Sequence, residues 1–520
     1  MSSMIKNTIT NAADITILKL IDNTFKTGGG PVSIAATVVE APKGPVGRPI
    51  FVTDRDWRRI FGKPYHPREG GTKAEGLRHL AEATKECQGV QVVRVLAANA
   101  LFPSMSFADD GSIIKDAHTY GTKIVDGAGV LMTVFPKDGD PSTTRKINIS
   151  KVDIDAGRIT LQLLEPDVEG RDQVIETLVF GLDPEDVDDM GAPAYIESVF
   201  ENGSEYLDVA LNEDATIDQF AVTAEPQLFE GGTNGGTPTT DDWVNAWDTY
   251  RDMRVSLNFL FAAGNYDLTV LGNCIEIADG RHAQFFFDAP PYLRNQSAIN
   301  WLMDAGLQSR QANCFHGAYS FLDPYYGGRA IWGYSGAAAA SRARGNAIFA
   351  GNVPGIHYSL AGIKRGIVNR RSAKPLHEND PLNKDAFYDA RINPILANET
   401  GPGVIIGDDL SIHYKQNYSR FGWIASITNY IVHRFLEAAS YAKFEPDGLT
   451  RDILHDLTTA ILQEMVTAGA LVKPRNPEVD GDEPYIVTVE QLEIDLWKVT
   501  WEICPTGAAR RIAGQPKLIK

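Results

Sequence analysis

The sequence predicts a mixed α/β protein of several domains, with a β-rich domain grafted into the body and an extended arm at each end. Three observations carry this expectation. Strand-sized apolar runs alternate with helical segments over 31–104 and again over 226–390, as in an α/β layer with a largely parallel sheet. Between them, residues 105–225 hold short strand-like runs broken by turns. Both termini are polar, partly apolar segments set off from the body by glycine or proline. At 520 residues, with 43% hydrophobic and 22% charged side chains, the chain has room for about three or four globular domains of roughly 150 residues.

Residues 1–30 read as an arm. Ile15, Ile17, Leu18 and Leu20 form its apolar stretch, and Gly28, Gly29 and Gly30 form a hinge before Pro31. Val32–Val39 reads as a strand, Asp54–Phe61 as a short helix, and Thr72–Cys87 as a helix opened by a Thr72/Glu75 capping box. Val90–Leu96 is a buried strand. Within the grafted segment, Val130–Phe135, Lys146–Val152 and Ile159–Leu164 are strand-like. Gly231–Gly236 reads as a hinged join. A helix capped near Thr240, strand Val255–Phe261, helix Asn273–His282, strand Gln284–Phe287, helix Ser297–Arg310 and strand Cys314–Ser320 complete the middle domain, 226–390.

The C-terminal domain, 391–505, carries two amphipathic helices, with Ile424, Ile427, Ile431 and Phe435 on one and Ile453, Leu457, Ile461 and Met465 on the other. Both stripes read as core. Leu492, Ile494 and Leu496 then alternate on one face, and Trp497, Val499, Trp501 and Ile503 on the other. That flip of parity marks a bulge or a change of environment. Residues 506–520 form a tail with Arg510, Arg511, Lys517 and Lys520 and no acid.

The formal net charge of -18 is unevenly spread: residues 105–220 hold 25 Asp+Glu and 8 Lys+Arg, a net of -17, leaving -1 on everything else. An acidic surplus disfavours general nucleic-acid binding, which draws on excess Lys and Arg. The acidic module is expected to face solvent, and Asp183–Asp189 lacks the Gly and terminal Glu of a calcium loop. No run approaches the ~18 apolar residues of a membrane-spanning helix, and Asp14 and Lys19 interrupt the only greasy N-terminal stretch, against a signal peptide. Cys87, Cys274, Cys314 and Cys504 are too scattered for a disulfide framework or zinc clasp and read as buried small hydrophobes.

Catalytic motifs are absent or incomplete. Gly333-Tyr334-Ser335-Gly336-Ala337 approaches the G-x-S-x-G elbow but ends in Ala and runs into a small-residue helix, leaving an α/β hydrolase using Ser335 as the enzymatic alternative. Neither Gly28–Gly30 nor Gly231–Gly236 has phosphate-loop or dinucleotide spacing, and no cofactor is expected.

Specific stretches resemble the contractile tail sheath proteins of bacteriophages. The loop Ala41-Pro42-Lys43-Gly44-Pro45-Val46-Gly47-Arg48-Pro49, followed by Phe51-Val52-Thr53, Trp57 and Phe61-Gly62, is similar to that family's opening. Ile392-Asn393-Pro394-Ile395, Gly401-Pro402-Gly403-Val404, Tyr418, Arg420, Phe444-Glu445-Pro446 and Gly469-Ala470-Leu471 resemble its C-terminal signature. Gly407-Asp408-Asp409-Leu410 departs from the family's Gly-x-Arg-Thr, and no functional weight is placed on that turn.

The resemblance implies a non-enzymatic virion subunit, assembled in the host bacterial cytoplasm. Copies would stack in rings around a tail tube protein, between baseplate and tail terminator proteins, and contract to drive the tube through the host envelope. It further implies arms donated to neighbouring copies: Ile15, Ile17, Leu18 and Leu20 at one end, Arg510, Arg511, Ile512, Leu518 and Ile519 at the other. Leu492, Ile494, Leu496, Trp497, Val499, Trp501 and Ile503 would supply the acceptor sheet. A headless, pyocin-like particle is the close alternative.

Overall fold

The computed structural model describes residues 33–512 and 515, apart from 126, 138, 168, 189, 400 and 402. The arm residues Ile15, Ile17, Leu18 and Leu20, the glycines Gly28, Gly29 and Gly30, and Leu518 and Ile519 lie outside the described residues. What is described is a mixed α+β architecture.

A nine-stranded sheet forms the body. Its spatial order is Ile367–Val368, Val404–Ile406, Ile392–Ala397, Ala312–His316, Gln284–Asp288, Phe259–Phe261, Ile34–Val39, Gly89–Arg94 and Ile50–Val52. The six strands from Ile392–Ala397 to Gly89–Arg94 run parallel, and antiparallel strands flank them on both sides. Helices cover both faces, so these strands read as unbroken apolar runs. Alternate side chains serve two cores. Ala35, Val39 and Phe286 pack with helices Gly71–Ala83 and Ser335–Asn346. Ala36, Val38, Phe285 and Phe287 pack with Thr240–Asp248, Leu268–Arg281 and Asn295–Ala305.

Several expectations are corrected by tertiary contacts. Helix Gly71–Ala83 has no capping box: the Thr72 hydroxyl donates to Glu40, and buried Glu75 accepts the Tyr266 hydroxyl at 2.6 Å and the Gly333 amide at 2.9 Å. Gly231–Gly236 is clamped rather than hinged. Thr233 bridges Leu101, and Asn234 Oδ1 accepts from Arg94 at 2.8 Å. The run Cys314–Ser320 splits at Gly317 into Ala312–His316, in the central sheet, and Tyr319–Leu322, in a three-stranded sheet beside it. Strands Ile392–Ala397 and Val404–Ile406 also join the central sheet, through Cys314 opposite Ile392, although their sequence signature groups them with the C-terminal helices.

The acidic segment folds into two four-stranded antiparallel sheets sharing one core that includes Met105, Val134, Ile147, Leu161 and Phe180, with helix Ile196–Gly203 contributing Phe200. Buried Arg94 ties the segment to the body: it donates to the Ala41 and Gly44 carbonyls and pairs with Asp140 at 3.0 Å. Beyond the sheet, helices Gly422–Ala442 and Asp447–Thr467 form a separate core with Ile427, Ile431, Leu462 and Met465.

The turn Gly407–Leu410 joins these parts. Asp409 and Arg342 are fully buried and pair at 2.8 Å, and the same carboxylate accepts the Leu360 amide at 3.1 Å and Asn313 Nδ2 at 3.3 Å. The Asp409 carbonyl accepts the Gly422 amide at 2.9 Å. Gly422 is required by close approach, because a Cβ there would run into the Asp409 carboxylate. Asn393 clamps the next residue, accepting the Leu410 amide at 2.6 Å and donating to its carbonyl at 2.8 Å.

Two stability predictions result. Asp409→Asn leaves the Arg342 charge buried without its counter-ion and should cost about 3–5 kcal/mol. Denaturant midpoints should show the Asp409→Asn/Arg342→Met double variant losing less than the sum of the single variants. Burial also pushes the His316 imidazole down to about 4 from its ordinary 6.5. The unfolded chain therefore takes up this proton first on acidification. The contribution is complete above about pH 6.5 and falls by roughly 3 kcal/mol as pH drops to about 4. His316→Gln should flatten the pH dependence of unfolding across that window.

Candidate assembly surfaces

The C-terminal helices carry a lone hairpin. The predicted acceptor run is not one bulged strand: Tyr485–Glu493 and Leu496–Ile503 pair antiparallel, with a register slip between Gln491 and Glu493. The parity flip in the sequence is this reversal of the chain. Leu492, Ile494 and Leu496 project at the hairpin tip, with Ile494 91% exposed. Trp497, Val499, Trp501 and Ile503 are half-buried on the other face. Trp501 and Ile503 pack with Tyr485 and Val487 on the helical core, the Trp501 ring 4.8 Å from Phe435.

Two strands are marginal as an independent sheet. Among the described residues no third strand joins this one. Its root is tied down by the Leu471–Pro505 bridge and by the Val472 amide donating to the Cys504 carbonyl at 2.9 Å. Unpaired main-chain groups along both long edges are templates for another strand.

The tail leaves beside this hairpin but is first strapped to the body. Trp423 Nε1 donates to the Thr506 carbonyl at 3.3 Å. Arg510, expected in a donated strand, is instead held by its own chain in irregular backbone. It forks onto Asp408, with Nε 2.9 Å from Oδ1, and its guanidinium lies 5.0 Å from the Tyr388 ring and 5.2 Å from Phe421. A bidentate carboxylate pair between two aromatic faces suits Arg far better than Lys. Arg511 is exposed, and Ile512 is 87% exposed. The structure thus brings Arg510 to Asp408, a residue the sequence reading passed over. The available signal was charge: two adjacent carboxylates in one turn, in a chain ending in an acid-free arginine tail.

Ser335 sits in a closed polar network at the start of helix Ser335–Asn346. Asp288 accepts the Tyr334 amide at 2.6 Å and the Ser335 amide at 2.9 Å, serving the helix N-terminus as a capping carboxylate does. Burial pushes its carboxyl up, against the opposing pull of these amides. His79 Nδ1 lies 3.2 Å from Ser335 Oγ and accepts the Gly336 amide at 3.1 Å, so the ring proton sits on Nε2, facing Glu75 at 3.6 Å. The lone pair a catalytic base would use is already taken up. Ser335 and His79 are both fully buried. Gly336 has no room for a side chain because the His79 backbone presses against it. A serine, a histidine and two carboxylates here join two helices to the sheet.

No protein-family model and no curated protein matches the chain. Among solved structures, it is similar to a sheath tail protein from Listeria innocua, with TM-score 0.53 and 13% identity, covering 91% of this chain and 95% of that one. A sheath tail protein from Desulfitobacterium hafniense aligns over 91% of this chain and 97% of its own, at 12% identity and TM-score 0.49. A sheath from an extracellular contractile injection system in its contracted state aligns over 51% of this chain and 71% of its own, at 15% identity and TM-score 0.40. The fold of this chain is that of a sheath tail protein.

Proposed function

We propose that the chain is a structural subunit of a contractile tail sheath. It polymerises around a tail tube and shortens to drive the tube through a host envelope, delivering a genome. The observation that carries this reading is the similarity to the Listeria sheath fold over 91% of the chain, beside a hairpin whose edges are unpaired among the described residues. An added strand forms several main-chain hydrogen bonds of about 1 kcal/mol each, while its alternate side chains find pockets. The apolar stretch Ile15–Ile21 is one such strand, and residues beyond Arg510 form the other. The Arg510 clamp sets the root from which that second arm leaves. Gly28–Gly30 lets the first stay docked while the body turns.

In this reading the subunit is not an enzyme. Work comes from a metastable extended lattice passing to one with larger buried area between copies, a shift between two packings. The tube, baseplate and tail terminator proteins are its partners, and the assembled particle is its location. The near-neutral body packs against other copies, and the acidic segment 105–220 faces outward into water. A headless injection particle would use the same subunit; genes for a capsid beside this one separate the two.

Electron micrographs of the purified chain are expected to show ordered hollow cylinders. Deleting residues 1–25 should leave a folded, soluble monomer that forms none, as read by sedimentation and circular dichroism. Normal cylinders from that truncation would sink the arm hypothesis. Deleting 511–520, which spares the Arg510 clamp, is expected to leave the thermal midpoint unchanged while abolishing long cylinders.

A further inference from the structure

We infer that a cationic cleft at the base of the acidic segment receives the acidic loop at that segment's far end from a second copy of this chain, joining copies head to tail. The inference rests on the self-assembly reading above and adds a contact that involves neither arm.

The cleft, of about 500 Å³, lies between the body and the grafted segment. Lys43, Arg48 and Arg59 form its body-side wall around Ile50 and Ile60. All three cations are exposed, and none pairs with a carboxylate among the described residues. Two carboxylates on the walls are already engaged, Asp140 with Arg94 at 3.0 Å and Glu165 with Arg145 at 4.0 Å, which leaves Glu205 facing three uncompensated cations. A surplus of positive charge thus borders the segment that holds nearly all the chain's net negative charge.

The complementary element is the loop after strand Asp172–Phe180. Asp183, Glu185 and Asp188 are exposed there, and Asp186 is held by Arg158 at 2.8 Å. Among these acids stand two apolar side chains, Val187, 54% exposed, and Met190, 95% exposed. Acids around an apolar knob match cations around an isoleucine floor.

One chain cannot join the two. Strand Arg158–Pro166 connects them: Arg158 at its start pairs with Asp186 of the loop, and Glu165 near its end lines the cleft. Eight steps of about 3.3 Å separate its ends by roughly 26 Å. Complementary patches at opposite ends of one rigid sheet form a heterologous contact, which repeats from copy to copy and builds rings or helical filaments. With several exposed charge pairs, the contact weakens as salt rises.

The test is a charge swap in the full chain. Lys43→Glu/Arg48→Glu/Arg59→Glu and, separately, Asp183→Lys/Glu185→Lys are each expected to weaken self-association at low salt at least tenfold by sedimentation, with unchanged circular dichroism. Mixing the two variants should restore it, because each then presents one reversed patch to the other. Met190→Ser should weaken association without altering its salt dependence. Cylinders that form equally well from both charge variants overturn this contact and leave the sheath reading standing; a wild-type chain that never associates overturns both.

Discussion

The buried pairing of Asp409 with Arg342 is the constraint on which the rest of the molecule depends. A carboxylate and a guanidinium taken out of water are tolerable only when each meets the other. That demand fixes the Ser335–Asn346 helix, the Leu360 loop, the Asn313 strand and the entry to the Gly422–Ala442 helix relative to one turn. Asn393 in the next parallel strand holds the following residue in place. The central sheet and the C-terminal helices meet here, and Asp408, one residue earlier, fixes the root of the tail. The turn that departs from the pattern of the family the sequence resembles is the joint of this chain.

Around that joint the molecule separates rigid parts from surfaces left unpaired. Both faces of the central sheet are buried under helices, whereas the C-terminal hairpin has, among the described residues, two open edges and an exposed apolar tip. The first arrangement uses up the apolar capacity of its interior strands within one chain. The second leaves main-chain groups and apolar side chains without a partner among the described residues. Charge is divided in the same way, with near-neutral surface on the body and a strongly acidic surface on the grafted sheets, bordered by a cationic cleft.

Much of the fold was legible because its signals are local. The continuous apolar runs at Val90 and Gln284 are strands buried on both faces; Ile424, Ile427 and Ile431 on one helix and Ile461 and Met465 on the other face a core, whereas Ile453 and Leu457 are half-buried outside it. Thr240 marks the start of its helix because a Thr239–Asp242 cap satisfies the first turn locally. The same kind of pattern misled at Thr72 and Glu75, where Glu40, Tyr266 and the Gly333 amide took the side chains a cap would have used. The Leu492–Ile503 alternation was visible in sequence, but a change of face reads alike for a bulge and for a hairpin.

By itself, the sequence determined the class of the protein: alternating strands and helices, a separate acidic β-rich segment, and no complete catalytic motif. These depend on side-chain periodicity, composition and turn residues within a few positions of one another. Tertiary structure alone decided which strands lie side by side, that Ser335 and His79 are interior struts, that Arg510 grips Asp408 across 102 residues, and that a cationic cleft and an acidic loop occupy opposite ends of one strand. The reason is physical. Buried charge pairs and sheet order are settled by what the folded chain brings within a few ångströms, and distance along the sequence carries no record of it.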